Sequence, residues 1–209
     1  CHQVNLEHLF HGVRRQDTPR GRLCFPDTPE RERSALARRH FEAFGRSFLE
    51  RGLLWWASAE RIRRIVRVDG LHHLEGARDR PVILLVPHFV GLDAGGTVVS
   101  MHVVGCSVFS MQKNPVLNKL LYDGRMRFNE AVLLSRQDGM RKIVKAMKEG
   151  HPFYYLPDMD FGAKDAAFVP FFGVPAATLL APARMAASMG LAVQPVLAEM
   201  LPGGQGYRV

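Results

Sequence analysis

The chain has 209 residues, 47% hydrophobic and 23% charged, which fits one globular domain with a sizeable core and excludes an intrinsically disordered polypeptide. Its net charge is +8 and arginine supplies 22 of its 28 basic residues, so acidic partners are favoured: nucleic acid, anionic lipid or an acidic carrier protein. Cys1, Cys24 and Cys106 form no close pair, and the nine histidines fall into no HExxH or Cys/His cluster, which argues against a disulfide framework and against a metal site.

In chain order, residues 1–27 have little periodicity and read as irregular, without a signal peptide. Thr28-Pro29 predicts a helix start, with Ala37, Phe41, Phe44 and Phe48 on one stripe to about Arg51. A second helical stretch, Leu53 to Arg64, contains Trp55 and Trp56, which either pack in the core or meet a membrane interface beside the arginines. Val66–Val68 predicts a short strand, and 69–80 a polar connection. Val82 to Val86, between prolines, is the signature of a fully buried strand. A Pro-His turn and a helix from Leu92 to about Val104 follow, then a strand near Ser107–Met111 and a helix from Asn114-Pro115 to about Arg127. The remaining elements are a strand 131–134, a helix 139–148, a strand 153–156, an apolar Phe168–Gly173, a helix 177–188 and a strand 191–197. Strands alternating with helices predict an α/β layered fold, a largely parallel sheet flanked by helices, preceded by an N-terminal helical segment. The tract 81–111 carries His88, Asp93 and His102 with four glycines, so it reads as core and not as a lipid-exposed span. A strand is expected to begin at Gly206-Tyr-Arg-Val209, where the chain stops, which suggests a piece of a longer protein.

Chemistry centres on the end of the 82–86 strand, where open α/β sheets hold their ligands. His88 and Asp93 stand five residues apart, about 140° on a regular helix. They meet only if His88 stays in the turn, Asp93 enters the first helical turn and Gly91 gives the bend latitude. His88 is then a general base with Asp93 fixing its tautomer, or else a buried histidine satisfied by local hydrogen bonds. No serine or cysteine lies in a nucleophile-elbow pattern, which favours direct attack by a substrate hydroxyl over a covalent acyl-enzyme. Arg125 and Arg127, in Gly124-Arg-Met-Arg127, either grip phosphate or merely complement a helix dipole. Asp158 and Asp160 follow the 153–156 strand and either orient a sugar or an arginine, or serve turn formation.

These blocks together resemble the lipid A biosynthesis acyltransferases, the lauroyl and myristoyl transferases of the lysophospholipid acyltransferase superfamily. His88-Phe-Val-Gly-Leu-Asp93 is similar to the superfamily's H-x4-D motif, and Gly124-Arg-Met-Arg127 to the family's arginine block. Leu156-Pro-Asp-Met-Asp-Phe-Gly162, followed by Phe168-Val-Pro-Phe-Phe-Gly-Val-Pro-Ala-Ala-Thr178, resembles its most characteristic stretch, and Cys24-Phe-Pro-Asp27 also fits. The resemblance covers residues 23–209 as one acyltransferase domain of glycerolipid-acyltransferase type, with residues 1–22 outside it. It implies transfer of a fatty acyl chain from acyl carrier protein thioester to a hydroxyl of a lipid A precursor at the cytoplasmic face of the inner membrane, with no further cofactor. His88 becomes the base and Asp93 its partner; Arg125, Arg127, Asp158 and Asp160 become substrate-binding residues. The partners implied are the carrier protein, the anionic lipid and the membrane surface, and nucleic acid is not expected. A glycerophospholipid acceptor and a non-catalytic lipid- or carrier-binding module are the alternatives. Family members also carry an N-terminal hydrophobic anchoring helix and run beyond residue 209.

Overall fold

The structure, a computed structural model, describes residues 19–75, 80–158 and 164–209. The chain forms two compact units, Cys1–Phe48 with Met159–Leu180, and Leu49–Asp158 with Ala181–Val209.

The second unit is built on a five-stranded, all-parallel sheet. Its strands are β2 (Val82–Leu85), β3 (Cys106–Phe109), β4 (Val132–Ser135), β5 (Phe153–Tyr155) and β8 (Ala192–Pro195), in the spatial order β4-β3-β5-β2-β8. Successive side chains of a strand point to opposite faces, and the core divides accordingly. Ile83, Cys106 and Phe153 pack with Ile143, Ala146 and Met147 of α7 (Gly139–Lys148) and Met185 of α8 (Ala181–Met189). Val82, Leu84 and Val86 cluster with Val99 of α5 (Leu92–Ser100) and with Val196. That double burial is why β2 reads as an unbroken apolar run.

A small sheet joins β1 (Val66–Arg67), parallel to β10 (Tyr207–Arg208), which pairs antiparallel with β9 (Glu199–Met200). The strand expected at the end of the sequence is thus present. Tyr207 is buried with Leu54, Ile62, Val66, Ala94 and Val98.

Local chemistry sets two of the helix starts. Asn114 caps α6 (Pro115–Met126), its side chain accepting from the N–H groups of Val116 and Leu117 at 2.9 and 3.2 Å, with Pro115 in the first turn. Ser58 caps α3 (Ala59–Ile65), accepting from Arg61 N–H at 3.2 Å. That cap moves an expected boundary. One helix, α2, runs from Glu30 to Trp56 without a break near Arg51, and the interruption falls at Ala57-Ser58, where the hydroxyl competes for backbone donors. The connection 69–80 includes a short helix, α4 (Leu71–Glu75), and α1 (Pro19–Cys24) lies within the stretch expected to be irregular. The two tryptophans part company: Trp55 lies against Gly124, where an added Cβ would sit 2.6 Å from the indole, while Trp56 is 69% exposed.

The helix expected from residue 177 begins only at Ala181, because residues 174–179 pair as a strand. In the first unit β6 (Ala166–Phe171) and β7 (Val174–Leu179) form an antiparallel hairpin, with Phe171 opposite Val174. Its two-residue turn, Phe172-Gly173, has φ of 52° and 76°. Positive φ at both positions is the arrangement that prefers Asn-Gly, and a phenylalanine there is strained by about 1–2 kcal/mol.

Cys106 is fully buried, and burial pushes its thiol up to about 12, a backbone hydrogen bond opposing. Unfolded thiols ionise near 8.5, so this group's stabilising contribution is complete below that pH and is lost as pH rises through about 12. Alkylation followed by mass spectrometry at neutral pH is expected to leave Cys106 unmodified in the folded protein and to label it after denaturation. Among the described residues no helix is long and apolar enough to cross a membrane, and no cluster of His, Cys, Asp or Glu is arranged to hold a metal.

Candidate active site

Strands β2 and β5 are parallel neighbours with Leu85 opposite Tyr155. Each continues with an apolar residue, a proline and a polar residue: Val86-Pro87-His88 and Leu156-Pro157-Asp158. Equal offsets from a shared register carry His88 and Asp158 to the same level at the carboxyl end of the sheet. The ladder extends one step beyond the strands, Val86 N–H donating to Tyr155 O at 2.9 Å, and the prolines then end it, having no N–H to give.

Asp158 grips His88 twice. Its Oδ1 lies 2.6 Å from the ring Nδ1, and its Oδ2 accepts the His88 backbone N–H at 2.7 Å. A carboxylate only accepts, so the Nδ1 position carries the proton and Nε2 becomes the basic nitrogen of the neutral ring. Both side chains are about two-fifths exposed, so a substrate hydroxyl can reach the imidazole.

This corrects the expected pairing. The sequence spacing assigned Asp93 to His88, and the structure gives that place to Asp158, which the sequence reading had assigned to substrate. The physical reason is register. Adjacent parallel strands bring the ends of β2 and β5 together, whereas Asp93 sits in the first turn of α5 and meets α2 instead. There Arg51 Nε donates to Asp93 Oδ2 at 2.6 Å, both side chains about a quarter exposed. The α5 N-terminus favours a carboxylate at this position, as the sequence indicated.

Gly91, at the start of α5, has φ of −81°, so its role is not a left-handed bend. An added Cβ would lie 3.0 Å from the Ala198 backbone, and one on Gly95 3.2 Å from Ala198 Cβ. The helix that carries Asp93 is therefore seated directly on the segment after β8. Gly91→Ala is expected to lower stability by about 1–3 kcal/mol through overpacking, measured as a fall in denaturant midpoint.

Arg125, in the last turn of α6, belongs to the Asp93 group. Desolvation lowers its pKa, Asp93 opposes that shift, Arg51 adds to it, and Tyr154 opposes it. The residue is nevertheless exposed at its surface, so its charge is partly desolvated yet within reach of a ligand. Tyr154 feels the same charges: burial raises its phenol, Asp93 adds to that, and Arg125 counteracts.

Arg127 has a different task from the one expected of it. Its Nη1 donates to Leu54 O at 2.5 Å, its Nη2 donates to Ala57 O, and the guanidinium lies 4.2 Å from the centre of the Phe128 ring. It satisfies carbonyls at the end of α2, which a helix terminus leaves without partners, so the structure shows it in a structural contact. Asp160, the remaining candidate, lies outside the described residues.

A cavity of about 240 Å³ is lined by Leu74, Val98, Val99, His102 and Leu197, among others, and by none of the candidate site residues.

The chain is matched along most of its length by known proteins. The sequence profile described as bacterial lipid A biosynthesis acyltransferase fits residues 21–209. The chain belongs to that family. A Haemophilus influenzae lipid A biosynthesis acyltransferase is 37% identical over 172 residues, 81% of this chain and 55% of the relative. The Escherichia coli lipid A biosynthesis lauroyltransferase is 33% identical over 190 residues, 90% of this chain and 61% of that enzyme. The Escherichia coli lipid A biosynthesis myristoyltransferase is 32% identical over 166 residues, covering 78% and 51%. The chain thus spans little more than half the length of the relatives it matches. Membership bears out the resemblance to this family, and the five-stranded parallel sheet flanked by helices bears out the expected α/β layers.

Sequence reasoning missed Arg51 and the contact between Asp158 and His88. Arg51 lies 42 residues from Asp93 with no local pattern to tie the two together. Asp158 did leave a signal: Leu84-Leu-Val-Pro-His88 and Tyr154-Tyr-Leu-Pro-Asp158 share a strand–apolar–Pro–polar pattern that marks parallel neighbours.

Proposed function

We propose that this chain carries the catalytic centre of an O-acyltransferase that moves a fatty acyl chain from acyl carrier protein thioester to a hydroxyl of a lipid A precursor. The observation that supports it best is His88 held at Nδ1 by Asp158, at a strand end and open to solvent. In the reaction Nε2 takes the proton of the acceptor hydroxyl while its oxygen attacks the thioester carbonyl. The tetrahedral intermediate collapses with cleavage of the C–S bond, and the carrier's sulfur leaves with the proton returned from His88. An ester forms, a thioester is consumed, and no redox partner is required. Asp158 stabilises the imidazolium that forms and holds the ring in its productive tautomer.

Arg125 receives an anionic group of the acceptor, and Asp93 with Arg51 fixes the helix end beside it. The thioester itself brings the activated acyl group, so no further cofactor enters. A chain of net charge +8 is suited to an acidic carrier and an anionic lipid at the cytoplasmic face of the inner membrane.

The test is mass spectrometry of a lipid A precursor incubated with the protein and either acyl carrier protein or coenzyme A thioesters. The expected result is one added acyl ester from the carrier-protein donor, absent with His88→Ala. Acylation of a lysophospholipid but not of the precursor would overturn the acceptor, and a preference for coenzyme A thioesters would overturn the donor.

A further inference from the structure

We infer that the tip of the β6–β7 hairpin is a membrane anchor, inserted among the acyl chains of an anionic bilayer. From Ala166 to Ala183 there is no charged residue, and Thr178 is the one polar side chain. A soluble two-stranded hairpin ordinarily has one wet face. Here Phe168 is 64% exposed on one face, Val169 41% and Phe171 60% on the other, and Phe172 in the turn is 53% exposed. A protein groove would cover a single face; apolar surface on both faces and around the turn fits a fluid that surrounds the tip.

Two further features fit that medium. Pro170 and Pro175 stand opposite each other, removing two backbone N–H groups where the hairpin enters its tip. And phenylalanine occupies a turn position, φ 52°, that in water favours asparagine or glycine. The strain is retained and an aromatic ring is displayed: Phe171 and Phe172 meet edge to face with centroids 4.8 Å apart, and Phe172 contacts Phe25 at 5.2 Å. Arginines on the same unit, among them the exposed Arg31 and Arg39, supply charge that anionic headgroups attract.

The choice of a bilayer as occupant rests on the lipid-substrate reading above, but the readout needs no turnover. Partitioning of the intact chain is measured by co-sedimentation with phosphatidylcholine vesicles, with and without phosphatidylglycerol. Phe171→Ser with Phe172→Asn is expected to weaken partitioning roughly tenfold per ring, with phosphatidylglycerol still strengthening what remains. Because Asn-Gly suits the turn, the folded state is expected to persist. His88→Ala is expected to partition as the wild type does, whatever becomes of its activity. As a second probe, Phe171→Trp should gain tryptophan quenching by lipids brominated on their acyl chains, beyond that of Trp55 and Trp56. Equal partitioning of wild type and double variant, absence of added quenching, or a wild-type dimer abolished by the double substitution with vesicle binding intact would each overturn the inference.

Discussion

Replacing Asp158 by Asn is expected to slow acyl transfer by about 100- to 10,000-fold while the protein stays folded. The carboxylate makes two hydrogen bonds, to His88 Nδ1 at 2.6 Å and to the His88 backbone N–H at 2.7 Å. An amide in its place can keep one acceptor but presents a donor as well. A donor facing Nδ1 stabilises the tautomer with the proton on Nε2, the nitrogen that has to be free to accept the substrate proton. The imidazolium formed on proton transfer also loses its counter-charge. His88→Ala removes the base itself, with a loss at least as large, and the double variant should be little worse than His88→Ala because the two residues act as one unit. Both side chains are about two-fifths exposed, so neither change empties a core cavity, and circular dichroism should report native folding. An Asp158→Asn protein with wild-type kcat would rule the pair out.

The second large effect concerns Asp93. Asp93→Ala is expected to lower folding stability by about 1–3 kcal/mol and to raise the acceptor KM more than it lowers kcat. The Arg51–Asp93 ion pair is about a quarter exposed, which places it between a surface pair of small value and a buried one whose disruption costs more. Without the carboxylate, Arg51 and Arg125 repel each other and the first turn of α5 loses an anion that its dipole favours. A double-mutant cycle over Arg51→Ala and Asp93→Ala, read by chemical denaturation, should give a coupling of about 1–2 kcal/mol; a coupling near zero would show that the contact is incidental.

Much of this fold was legible because the sequence repeats one physical pattern. The apolar run 82–86, the Asn114-Pro115 start and the 139–148 helix are local signals, and each produced its element. Non-local pairing was not legible. Nothing near Val174–Leu179 announces that it pairs with Ala166–Phe171 instead of opening a helix, since its alanines are compatible with either. The tryptophans show the same limit: one rests on Gly124 and the other faces solvent, and only the tertiary contact separates them. His88 lies at its strand end as the sequence indicated, but its hydrogen-bond partner followed from the alignment of two strands seventy residues apart and not from proximity in sequence. The Arg127 contacts were not legible for a related reason: nothing in the sequence around a cation at a helix end announces the carbonyls of Leu54 and Ala57.

The most direct test of the account compares the chemical step in Asp158→Asn and Asp93→Asn under single-turnover conditions, with acyl carrier protein thioester and saturating lipid A precursor. A large fall is expected for Asp158→Asn and a rate close to wild type for Asp93→Asn. A near-normal rate in Asp158→Asn with Asp93→Asn as slow as His88→Ala would contradict it.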